Sequence, residues 1–407
     1  MKKTILRVLI CIRLLLGCIG FNKEVKAEEI SEERTFENEK PELIVLSGIN
    51  NVKLTWNKIK GATGYEVYRS KDKLGEFKRI KRVEGTRKYT LYYNTDQPYY
   101  YKLRGYKVVN GKKVYTKYSK IVKGKADVKA VKVRKITKIS ENKVCISWDR
   151  LNGYDGYMIF VKKNEKYEKL CTVSKKIKGV KVVKSDGKLY KIKAYKNING
   201  KLYYSKMSDS VRVVSRHKIN VKYISQLPNL PTGCEITSLT TVLNYLGFDV
   251  TKETMADEYL EKGAIGTVDF REAFVGNPYD DHSYGCYAPV IVKTANKYLS
   301  ENKSDLRAYD MSGKNLTELY KYVCEGKPVV IWNTTKMNQE PFYTTTWNIN
   351  GKNIRWLCGE HCMVLIGFDL DRNVVIVSDP MVGKVEYDRE LFEKRYIQFF
   401  KQAVVIE

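Results

Sequence analysis

Three residues with the makings of a cysteine-based nucleophilic centre occur in order in the second half of the chain: Cys234, His361 and Asp379. Cys234 lies in LPTGCEITSLTTVLNYLG, residues 230–247, between a Pro-Thr-Gly turn and an amphipathic run. Thr232 and Glu235 have the spacing of a capping box, in which Thr232 accepts from a free amide and Glu235 reaches back to the Thr232 amide. Glu235 therefore reads as structural. Ile236, Leu239, Leu243 and Leu246 follow at helical spacing, and Gly247 is placed to end the helix. Cys234 then falls in the first turn, ahead of the apolar stripe, where unpaired N–H groups and the positive end of the helix dipole favour a thiolate.

A thiolate nucleophile needs a base and a group to orient it. The chain has three histidines. His217 stands where the sequence character changes, and His282 sits in the turn-rich GNPYDDHSYG. His361 heads the strand-like run HCMVLIGFD, which leads through Asp369 to VVIVSDP and Asp379. A helix-borne Cys, then a strand-borne His, then an Asp is the chain order of papain-like enzymes. Asp369 and Asp371 fall at the turn between the two strands and are weaker choices for the orienting role. Cys358-Gly-Glu-His361-Cys362 lacks the spacing of a zinc knuckle, so no metal and no cofactor is expected. Cys362 reads as a small core residue, and Cys358 has Cys286 or Cys324 as possible disulfide partners.

LPTGCEITSLTTVLNYLG, GEHCMVLIGFD and VSDPMVG together resemble the exported branch of the bacteriocin-leader (double-glycine) peptidase family, a papain-superfamily group, over about residues 219–407. The resemblance implies Cys234 as nucleophile, His361 as general base and acid, and Asp379 as orienter. It also implies an upstream Gln at the oxyanion; Gln226 is the only Gln near enough, eight residues before Cys234 where about six is usual. The membrane and nucleotide-binding regions of exporter-fused members are absent from this sequence.

The elements that must carry these residues form an α+β domain, residues 215–407, with helices expected near 235–246, 251–260, 289–299, 314–324 and 389–395. Strand-like runs alternate with them at Pro328 to Trp332, Cys362 to Phe368, Val374 to Val377 and Ala403 to Ile406. Ahead of it one pattern occurs twice. VKLTW, GYEVYRS and YYYKLRGYKVVNGKKVYTKYSKIV are followed by VCISW, GYMIFVK and LYKIKAYKNINGKLYYSKMSDSVRV. Trp56 and Trp148 are 92 apart, and each precedes a Tyr by nine residues; Asn110-Gly111 and Asn199-Gly200 read as hairpin turns. These segments resemble fibronectin type III modules, giving two all-β immunoglobulin-like sandwiches, at 42–126 and 127–214. Residues 28–41 are acidic and read as a mobile lead. Residues 1–27 read as a signal peptide: Lys2 and Lys3, an apolar stretch, then Val25-Lys26-Ala27. An alternative is lipid attachment at Cys18, since Leu15-Leu16-Gly17-Cys18 resembles a lipoprotein site. No later run is long enough to span a membrane.

Residues 41–214 hold 44 Lys and Arg against 14 Asp and Glu, whereas 215–407 hold 22 against 25. The excess suggests contact between 41–214 and an anionic cell-wall polymer; in an exported protein, nucleic acid is not the expected partner. The sequence thus leads to a secreted or wall-associated cysteine peptidase acting on a peptide or protein. The alternatives are a cell-wall peptide amidase with the same triad, and a non-catalytic wall-binding protein.

Overall fold

The structure, a computed structural model, describes residues 31–407 except 32 and 178. The expected signal segment and Cys18 lie outside the described residues. The chain forms two compact units: one runs to Val131 and includes Leu151–Met158 and Lys193–Met207, and the other comprises Lys132–Arg150, Ile159–Ile192 and Ser208–Glu407. This partition differs from the divisions at 126/127 and 214/215 expected from the repeat. Among the described residues no helix is long and apolar enough to cross a membrane.

In the first unit, strands Leu43–Gly48, Asn51–Trp56 and Lys88–Tyr92 form one antiparallel sheet in that order. Lys78–Glu84, Gly64–Ser70, Tyr99–Val109 and Lys112–Tyr115 form another, in which Val122–Gly124 also pairs with Tyr99–Val109. Val52, Leu54 and Trp56 of one sheet and Tyr65, Val67, Tyr101 and Leu103 of the other fill a single buried cluster, as period-two alternation requires. Phe36 joins that cluster and residues 33–38 are helical. The acidic lead is therefore structured there, because one aromatic anchor suffices to hold a short charged helix. Glu66, in the middle of Gly64–Ser70, has a fully buried side chain. It pairs with Arg79 (2.8 Å), Arg82 (3.1 Å) and Arg104 (3.1 Å) and accepts from the Tyr68 hydroxyl (2.7 Å).

The strand order recurs downstream. Val180–Lys184, Lys143–Trp148 and Val133–Ser140 form a three-stranded sheet; Lys166–Ser174, Gly156–Lys163, Leu189–Ile198 and Lys201–Tyr204 form the larger one, with Val211–Arg212 beside Leu189–Ile198. Both expected Asn-Gly turns close two-residue hairpins, Val109 opposite Lys112 and Ile198 opposite Lys201. Positive φ at Asn110 (48°), Gly111 (76°), Asn199 (51°) and Gly200 (82°) is what a type I′ turn demands.

The remainder of the second unit is built on an antiparallel sheet in the order Ala308–Asp310, Ala403–Ile406, Val329–Thr334, Glu360–Asp369, Val374–Asp379 and Gly383–Asp388. Arg216–Lys218 also pairs with Glu360–Asp369. Every residue of Glu360–Asp369 is buried, and helix Cys234–Tyr245 packs on this strand. Helices Ala288–Glu301, Leu316–Cys324 and Arg389–Gln398 lie where helical periodicity places them. A hairpin not expected from the sequence, Tyr343–Ile349 with Lys352–Leu357, brings Trp347 and Trp356 onto Phe270, with ring centroids 5.2 and 4.6 Å away.

Candidate functional site

Helix Cys234–Tyr245 is buried from Cys234 through Leu243, not along one stripe alone. Three of its buried hydroxyls find internal acceptors: Thr240 donates to the Ile236 carbonyl, Thr241 to that of Thr237, and Ser238 to that of Cys362 at 3.2 Å, while the Thr237 hydroxyl is buried without a partner among the described residues. At the far end Phe248 N–H bonds the Leu243 carbonyl and Gly247 N–H that of Asn244, with Gly247 at φ 97°, so glycine ends the helix as expected.

The N-terminus departs from expectation. Gly233 is the N-cap and no side chain caps the helix. The Thr232 amide bonds the Pro278 carbonyl and its hydroxyl donates to Asp280 O (2.9 Å), so neither half of the expected capping box is made. Glu235 instead turns inward. Its Oε1 accepts from the Cys286 amide at 2.6 Å and its Oε2 from the Cys234 thiol at 3.3 Å. A buried amide 51 residues away is the stronger partner, since the Thr232 amide is already satisfied.

The sulfur of Cys234 also accepts from the Cys362 amide (3.3 Å) and lies 4.0 Å from Glu360 Oε2. Cys234 and Ser238, one helical turn apart, thus grip the backbone N–H and C=O of the same strand residue, the neighbour of His361. His361 Nε2 is 2.8 Å from Asp379 Oδ1, with both side chains buried. Asp379 also accepts from the Met381 amide (2.8 Å) and the Tyr387 hydroxyl (3.2 Å). Burial pushes the Asp379 carboxyl up, but these donors, His361 foremost, outweigh it and hold the group below its ordinary range. Asp369 is occupied elsewhere, accepting from the Asp371 and Arg372 amides at the turn. Among the described residues, the hydrogen-bond partners of the Cys234 sulfur are Glu235, Glu360 and Cys362; His361 is not one of them.

The expected thiolate is not favoured here. Burial raises the Cys234 pKa well above its ordinary value, and the nearby Glu235 and Glu360 raise it further. Burial likewise raises both carboxyls, and in Glu360 the charge of Glu235 adds to it. Glu360 Oε1 is buried without a hydrogen-bond partner. Gly285 closes the site from behind: a Cβ there would come 2.4 Å from Glu235 Oε1 and 3.2 Å from Glu360 Oε2.

Gln226 is buried near the Asp379 turn, its amide bonded to the Pro380 carbonyl. Its side-chain nitrogen donates to Pro231 O (2.7 Å) and its Oε1 has no partner. His217 is 3.4 Å from Thr137 Oγ1, and burial lowers its pKa to about 4. His282 is exposed beside Asp281. The seven cysteines among the described residues are all free thiols, Cys286, Cys324 and Cys358 included.

Residues 218–404 match the Peptidase_C39 like family. Uncharacterized protein YvpB of Bacillus subtilis (strain 168) is 35% identical over 188 residues, 44% of this chain and 71% of that protein. The chain belongs to the C39-like peptidase family. The crystal structure of a candidate C39-like peptidase from Bacillus anthracis is 36% identical and covers 47% of this chain and 97% of its own, with a TM-score of 0.42. An Fn3-like protein from Clostridium thermocellum is 27% identical over 21% of this chain and 94% of its own, with a TM-score of 0.18. The C39-like segment contains Gln226, Cys234, His361 and Asp379, and also Glu235 and Glu360, two site residues that the sequence reading did not assign. Their only signal in the sequence is adjacency: each is next to a residue of the expected triad.

Proposed function

We propose that the chain is an exported cysteine peptidase in which Cys234 attacks the substrate carbonyl, His361 carries the proton and Asp379 orients the imidazole. The observation that supports this reading best is the buried 2.8 Å His361–Asp379 bond, on the strand whose next amide holds the Cys234 sulfur. The thiol starts protonated, so loss of its proton to His361 accompanies addition of sulfur to the carbonyl carbon. The tetrahedral oxyanion is offered the Cys234 amide in the first helical turn. Gln226 becomes a second donor only by releasing Pro231. Collapse breaks the C–N bond, the amine leaves with the proton from His361, and a thioester remains on Cys234. Water, deprotonated by His361, then cleaves the thioester, and the proton returns to sulfur. A fluorogenic peptide library tests this: Cys234→Ala should lose ~10⁴-fold or more of the turnover, His361→Ala nearly as much, and Asp379→Ala less. Full hydrolysis by Cys234→Ala would refute the reading.

In the same proposal, 42–126 and 127–214 are fibronectin type III modules that hold the enzyme on an anionic wall polymer. The positive excess of 41–214 supports this. So does a surface where cations lie over aromatic rings: Lys102 is 4.2 Å from the Tyr118 centroid and Lys193 4.1 Å from that of Tyr204. The full chain should be retained on purified walls and released as salt rises. Retention indifferent to salt and to removal of teichoic acid would reject anchoring.

A further inference from the structure

We propose that Cys234, Glu235 and Glu360 form a binding site for a divalent cation of the zinc class, and that its occupation switches the enzyme off. The Cys234 sulfur and one oxygen from each carboxyl group lie within 4.8 Å of one another. Zinc bonds thiolate sulfur at about 2.3 Å and carboxylate oxygen at about 2.1 Å in tetrahedral geometry, which makes each sulfur–oxygen edge roughly 3.6 Å. The two edges here, 3.3 Å to Glu235 and 4.0 Å to Glu360, bracket that value. The third edge, between the two carboxyl oxygens, is no longer than 4.8 Å.

A second observation points to a missing cation. Glu360 is 8% exposed, its Oε1 has no hydrogen-bond partner, and its Oε2 is directed at the sulfur. Among the described residues no Lys or Arg forms an ion pair with Glu235 or Glu360. A buried carboxyl without a cationic partner is held as the neutral acid until a cation displaces its proton. A three-ligand set of one sulfur and two oxygens leaves a fourth position for water.

Binding replaces the thiol proton and any protons held by the Glu235 and Glu360 carboxyls, all of which leave to solvent, and forms one sulfur–metal and two oxygen–metal bonds. The sulfur–metal bond occupies the electron pair the sulfur would use on a carbonyl. The inhibitory consequence rests on the peptidase reading; the binding itself does not. The exposed triplet Asp280, Asp281 and His282 also offers ligands, and it serves as the control.

Cobalt(II) added to the metal-free full chain should produce a near-ultraviolet thiolate-to-cobalt band, which one equivalent of zinc abolishes. Zinc should also shield Cys234 from iodoacetamide, read by mass spectrometry on the unmodified protein, so this readout needs no variant to fold. Glu360→Gln should weaken zinc about tenfold or more, Cys234→Ala should remove the thiolate band, and His282→Ala should change neither. No thiolate band and no shielding at micromolar zinc, or binding lost only in His282→Ala, overturns the proposal. A chain that hydrolyses peptides but ignores zinc fails this inference alone. One that binds zinc through Cys234 but hydrolyses nothing fails the peptidase reading alone.

Discussion

Glu66 and Glu360 are both buried carboxyl groups on β-strands, in different units of the molecule, and their surroundings are opposite. Glu66 is met by Arg79, Arg82, Arg104 and the Tyr68 hydroxyl. Burial pushes its pKa up, but those donors overcome it and hold the group at about 2. Glu360 meets Glu235 and a thiol, and burial and the neighbouring charge both raise it. The first arrangement is closed, with the charge matched by the protein itself. The second has no cationic partner among the described residues and is driven toward the neutral acid beside a sulfur, an arrangement a domain sustains only where the surrounding core supplies the stability.

The contrast is sharpest in isosteric amides. Glu66→Gln leaves three guanidinium groups around a neutral side chain and should cost about 3–5 kcal/mol in urea unfolding of its unit. Glu360→Gln replaces a carboxyl already driven toward its neutral form with a neutral isostere and, in metal-free buffer, should stay within about 1 kcal/mol of the wild type or exceed it. The reverse ranking would break the comparison. A smaller effect follows from pH. The folded pKa of Glu66 is depressed from 4.5 to about 2, so its stabilisation is present above the unfolded value and lost as pH falls through that window. The loss should amount to about 3 kcal/mol. Acid titration of unfolding should show this slope in the wild type and not in Glu66→Gln. The smallest effect is expected for Arg79→Ala. Its side chain is half exposed and two other arginines remain on Glu66, so about 1 kcal/mol or less should be lost.

Local rules read much of this chain correctly. Asn-Gly pairs fixed two hairpins, helical spacing and Gly247 fixed the course and the C-terminal end of the Cys234 helix, and the apolar run after His361 fixed the central strand. The environment of the sulfur was not legible, for a physical reason. A capping box is a contact between neighbours, and Glu235 satisfies every local criterion for one. The amide it selects belongs to Cys286, and the carboxyl opposite belongs to Glu360; only the fold brings these together. The thiolate expectation failed for the same cause, since the helix terminus acts in the open whereas this one is buried among acids. Glu33–Asn38 held a similar lesson on a smaller scale, its single Phe36 outweighing a run of charges.

Gly285 carries none of the chemistry, yet it has no room to vary. Even a methyl group there would come 2.4 Å from Glu235 Oε1 and 3.2 Å from Glu360 Oε2, so the smallest enlargement would shift the Glu235 carboxyl beside the sulfur. In a saturation screen scored by hydrolysis, this position should therefore be restricted nearly as tightly as the nucleophile, while a screen scored by abundance should treat the two differently: Cys234→Ala would accumulate normally and side chains larger than Ala at 285 would not. Plotting one score against the other would separate residues that react from residues that only leave space for them.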